Sequence, residues 1–140
     1  MIVGSEIAMW RATIRESAAT RGVFLGDAVE RYTIAALSRF RGYSRPFCTD
    51  LLSAMQKKRK DAHELREVGD GCLVIAGLFP RFGRVVSPEY FTAIGAGAYG
   101  ALAEVSRDNT YEEMKRKFPL IVYVLRGMRN MDVAAGAFFQ

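Results

Sequence analysis

The chain has 140 residues, 50% hydrophobic and 25% charged, with a formal net charge of +5. That length and balance suit a single domain with its own core and argue against disorder over most of the chain. Cys48 and Cys72 are too few and too isolated for a disulfide framework or a zinc site. The longest apolar run, Gly71 to Phe79, is about half of what a bilayer-spanning helix needs, so no membrane insertion is expected. Met1 to Trp10 lacks a basic stretch followed by an apolar one, which reads as a cytoplasmic chain with reduced thiols.

In chain order, Ile7, Trp10, Ile14 and Ala18 recur at helical spacing, predicting an amphipathic helix from about Ser5 to Ala19 stopped by Gly22. Asp27 opens a second helix, and Glu30 three residues on suggests a capping box. Val29, Tyr32, Thr33, Ala36, Leu37 and Phe40 form its apolar stripe, Gly42 ends it, and Pro46 marks the next loop. A short third helix is expected from about Asp50 to Lys57, with Leu51, Leu52 and Met55 inward.

The stretch from Asp61 to Phe79 is the centre of the expected fold. It starts charged and becomes apolar on every side after Asp70, as a helix enclosed by others does. Gly69, Gly71 and Gly77 lower its helix propensity by roughly 1 kcal/mol each against alanine. Close approach of neighbouring helices would offset that loss. Pro80 ends the helix and Gly83 helps the chain turn.

Ser87-Pro88-Glu89 is a helix start: a capping hydroxyl, a proline at the first turn, and a carboxylate at the positive end of the dipole. This helix should run to about Val105, with Tyr90, Ile94, Ala98, Ala101 and Val105 on one stripe. Thr110 and Glu113 suggest another capping box, and Pro119 should kink the last helical segment or split it into two short helices. Leu120 to Leu125 could be read as a strand, but it has no partner strand, so helix is preferred. The apolar tail, Val133 to Phe139, should dock on its own domain or on a neighbour. The fold expected is all-α: residues 1–140 as one compact bundle of six or seven helices around the helix at about 61–79.

No catalytic signature emerges. Gly95-Ala96-Gly97-Ala98-Tyr99-Gly100 fits G-x-G-x-x-G, yet it falls inside a helix begun by Ser87 and not in a strand-to-helix turn, so it reads as a packing face. His63, the one histidine, sits among charges and reads as exposed, which leaves no multi-histidine metal site and little support for a hydrolase triad. No catalytic residue, metal or cofactor is expected, and the reading leans away from an enzyme.

Two other groups carry chemistry. Arg39, Arg41, Arg45, Lys57, Lys58, Arg59 and Lys60 put a net +6 between Ser38 and Lys60, against −1 for the rest of the chain. Such charge suits phosphate, and Phe40, Tyr43 and Phe47 interleave with it, so nucleic acid is an alternative partner. Asp70 stands where the central helix turns apolar. It reads as a structural acid bonded to a tyrosine hydroxyl such as Tyr90 or Tyr99. A third reading gathers Asp70, Phe79, Tyr90 and Tyr99 into a small-ligand pocket between helices.

The block Leu65-Arg66-Glu67-Val68-Gly69-Asp70, then Ala76-Gly77-Leu78-Phe79-Pro80, Val86-Ser87, Tyr90, Gly95 and Ala98-Tyr99 resembles a family of small helical bacterial proteins. Glu30, Tyr32 and Leu37 to Phe40 fit the same pattern, so the resemblance covers roughly residues 25 to 105; Phe82 departs from the polar turn expected there. The resemblance implies a cytoplasmic bacterial protein and brings no activity with it. The leading expectation is therefore a non-enzymatic helical interaction or regulatory domain, a homodimer or the binder of a protein partner.

Overall fold

In a computed structural model, which describes residues 4–40, 53–79 and 87–128, the fold is all-α. Five long helices are described: α1 Gly4–Arg21, α2 Asp27–Phe40, α3 Ala62–Leu78, α4 Pro88–Val105 and α5 Asn109–Met128, with a further helical turn at 53–56. The expected features at Gly42, Pro46, Pro80, Gly83 and the tail from Val133 lie outside the described residues.

Asp61 starts α3 with a complete capping box. Its side chain accepts from the Glu64 amide at 2.8 Å, and the Glu64 carboxylate accepts from the Asp61 amide at 3.2 Å. From Val68 to Leu78 every residue of α3 is buried, including Leu73, Val74 and Leu78 on the flank opposite the main stripe. A fully buried leucine or valine contributes about 1.5–3 kcal/mol, so this one helix anchors a large share of the core. The helix packs most extensively on α4 and also lies along α5.

Two missing side chains let those neighbours approach. A Cβ at Gly69 would sit 2.5 Å from the Tyr99 ring, and one at Gly77 would sit 2.6 Å from Leu125. Across the same seam, a Cβ at Gly95 would meet Phe118 at 2.5 Å and Cys72 at 2.8 Å. Gly69 faces Tyr99 while Cys72 faces Gly95, so α3 and α4 run antiparallel. The G-x-G-x-x-G stretch is thus helical throughout. Gly95 faces the core, Gly97 faces open space, and Gly100 lies under the aliphatic stem of Lys115.

Ser87 caps α4, its hydroxyl accepting from the Tyr90 amide at 3.3 Å, and the helix ends at Val105 as the spacing predicts. The expected capping boxes on α2 and α5 are not what forms. Asp27 lies inside the first turn of α2, and the Glu30 carboxylate reaches Arg11 and Arg15 of α1. At α5 the amide of Thr110 donates to Asp108 at 2.9 Å, and Glu113 pairs with Arg116. In both cases the helix already includes the expected capping residue, so no box can form there, and each glutamate pairs with arginine instead.

Pro119 lies inside α5 without dividing it. Its missing N–H frees the carbonyl of Lys115, and both residues lie on the exposed face of the helix. Three polar side chains then tie α5 to the rest. Ser17 Oγ donates to the Val124 carbonyl at 2.6 Å, Lys117 Nζ to the Leu25 carbonyl at 2.7 Å, and Arg126 Nε to the Ala76 carbonyl at 3.2 Å near the end of α3. No described helix is long and apolar enough to cross a membrane.

Candidate functional site

Asp70 is 2% exposed and meets three donors from two other helices. Oδ1 accepts from Tyr99 Oη of α4 at 2.6 Å and from Tyr32 Oη of α2 at 2.7 Å, while Oδ2 accepts from Arg39 of α2 at 2.6 Å. Arg39 also lies 3.4 Å from Glu67. The Tyr99 ring stacks on Tyr111 and meets Tyr32 edge-on, with centroids 6.2 and 5.7 Å apart. Burial pushes the Asp70 carboxyl above its usual range; the Tyr99 hydroxyl, the Arg39 charge and the Tyr32 hydroxyl pull against that. Burial, with Asp70 alongside, raises both tyrosine hydroxyls too, so they stay protonated and remain donors. A general base needs a lone pair facing a substrate. Here the carboxylate faces inward onto its own donors, and the cluster acts as a strut joining α2, α3 and α4.

The four residues grouped as a ligand pocket separate into two pairs. Asp70 and Tyr99 meet, whereas Phe79 and Tyr90 lie nine residues further along antiparallel α3 and α4, about 13 Å away. Tyr90, the other candidate partner of Asp70, is 48% exposed at the start of α4. Cys72 is buried on α3, and burial pushes its thiol up to about 12, leaving it protonated and unreactive.

The basic run is partly engaged with its own chain. Lys57 pairs with Glu64, Lys60 donates to the Lys57 carbonyl at 2.8 Å, and Arg39 is turned onto Asp70 and Glu67. Lys58 and Arg59 are exposed, and Arg41 and Arg45 lie outside the described residues. Internal pairing lowers the charge this region can offer a phosphate backbone.

A different place gathers exposed apolar and charged groups: the turn between α1 and α2. Gly22, at φ +69°, ends α1. The Gly22 amide donates to Ala19 and the Val23 amide to Ala18, the paired bonds of a Schellman turn. Gly26, at φ +87°, closes the other side. Between the glycines Leu25 is buried, with its carbonyl held by Lys117, and Phe24 is 84% exposed. A cleft of about 330 Å³ opens beside that ring, walled by Ile14, Ala18, Val23 and Leu25. It continues along the α1–α2 seam past Arg15, Asp27 and Glu30 to Arg11 and Arg31.

The rim is organised around Glu30, which is 12% exposed. Arg15 Nε donates to both its oxygens at 3.2 Å, and Arg11 lies 3.3 Å from Oε1. Asp27 and Arg31, one turn apart on α2, are exposed and form no ion pair among the described residues. Phe24 does not stand out by helical spacing, because it lies between helices. The legible signal is Gly22-Val-Phe-Leu-Gly26: three apolar residues in a tight turn cannot all face inward. No family model, curated protein or solved structure matches the chain.

Proposed function

We propose that this chain is a non-enzymatic helical interaction domain that associates with itself and works in a bacterial cytoplasm. The observation that carries it is Phe24, a large apolar side chain held out at 84% exposure by a turn with fixed backbone geometry. An aromatic side chain has only two torsions to order on docking, which is how anchor residues at interfaces act. Other exposed apolar side chains, Tyr90, Val105, Leu120 and Tyr123, lie on α4 and α5. The cytoplasmic setting is supported by the family resemblance and by two widely separated cysteines. Light scattering on the eluting protein tests self-association. The mass should rise from 15.6 kDa toward twice that value at concentrations on the order of tens of micromolar. A constant monomer mass over that range contradicts it.

A further inference from the structure

We infer that the partner at the α1–α2 corner is a second copy of this chain, docked about a two-fold axis so that each Phe24 ring enters the other copy's cleft. This inference rests on the self-association proposed above and names its surface and geometry.

The corner carries both halves of such a contact. A two-fold interface uses the same patch twice, so it must contain a protrusion and a recess that fit each other. Phe24 is the protrusion, and the cleft of about 330 Å³ beside it is the recess. An apolar cavity of roughly 150 Å³ already accepts a benzene ring, so this cleft has room for a phenyl group. Its apolar walls from Ile14, Ala18 and Leu25 suit one.

The charges meet the same condition. Asp27 and Arg31 are exposed, opposite in sign and one turn apart on α2. When two such helices meet antiparallel across a two-fold axis, Asp27 of each copy faces Arg31 of the other. One acid and one base at that spacing complement a copy of themselves. A purely basic or purely acidic pair would repel its copy. Glu30 offsets one of the two charges of Arg11 and Arg15, so each rim keeps a net +1 that the two Asp27–Arg31 pairs across the axis must outweigh.

The test uses the full chain, its Phe24→Ala, Asp27→Arg and Arg31→Asp variants, and an equimolar mixture of the last two, measured by sedimentation velocity. All three positions are exposed, and far-UV circular dichroism with thermal melting verifies that each variant folds. Phe24→Ala should weaken dimerisation by at least about 100-fold, since two rings lose their sites. Asp27→Arg and Arg31→Asp should each weaken it by about tenfold or more, because like charges then meet twice. Their mixture should form a heterodimer tighter than either variant alone. If the wild type dimerises and Phe24→Ala dimerises equally well, or the mixture gains nothing, this interface is overturned while self-association stands. A monomeric wild type overturns both.

Discussion

Thr33 and Tyr99 each bury a hydroxyl, with opposite consequences. Thr33 is 0% exposed and its Oγ1 has no hydrogen-bond partner among the described residues, whereas the Tyr99 hydroxyl donates to Asp70 at 2.6 Å. A buried polar group without a partner lowers stability by about 1–3 kcal/mol, and removing a donor from a buried carboxylate does the same. Thr33→Val should therefore raise the urea midpoint by an amount equivalent to about 1 kcal/mol, and Tyr99→Phe should lower stability by about 1–3 kcal/mol. A Tyr99→Phe variant as stable as the wild type would show that Asp70 draws nothing from Tyr99. A tyrosine partner for Asp70 was legible, because a lone carboxylate entering an apolar helix must find a donor, but the choice of Tyr99 over Tyr90 was not. Tyr32 and Arg39 were not, since pairing α2 with α3 is a matter of tertiary packing. Arg39 in particular looked like one more base in a basic run.

Among the elements, helix existence was legible and the chemistry at the ends less so. Ser87-Pro88-Glu89 is a start in both sequence and structure. The D-x-x-E spacing at Asp27 and the T-x-x-E spacing at Thr110 looked equally good, yet Glu30 and Glu113 are taken by arginines. A capping pattern does not fix which residue becomes the N-cap: α2 already includes Asp27, and α5 already includes Thr110. Where the box does form, at Asp61, it has a pH signature. Lys57 and the Asp61 amide hold the Glu64 carboxyl below its usual 4.5. A depressed carboxylate stabilises the folded state fully above its unfolded value, and that stability is lost as pH falls through the lower, folded one. The advantage of the wild type over Glu64→Gln in urea unfolding should be complete at neutral pH and vanish in strong acid. An advantage that does not change with pH would mean that Glu64 acts through shape alone.

For the molecule as a whole, the central apolar helix was the legible feature. Eleven consecutive residues of α3, Val68 to Leu78, are buried, and the glycines at 69 and 77 are contact seams against Tyr99 and Leu125. What could not be read was the outer surface. Exposure depends on which neighbours a turn receives, and nothing local in Val23-Phe24-Leu25 says which of the three faces water. Only Leu25 is fully inside, tied down by Lys117 from α5, ninety-two positions away. In the proposed dimer this turn and the start of α2 become covered when two chains meet. Amide hydrogen exchange at low and roughly hundredfold higher protein concentration tests that without changing a residue. The account predicts slower exchange from Gly22 to Arg31 at the higher concentration, with Asn109 to Arg116 unchanged. Exchange that is independent of concentration at Gly22 to Arg31, or new protection confined to Tyr90 to Val105, would contradict it.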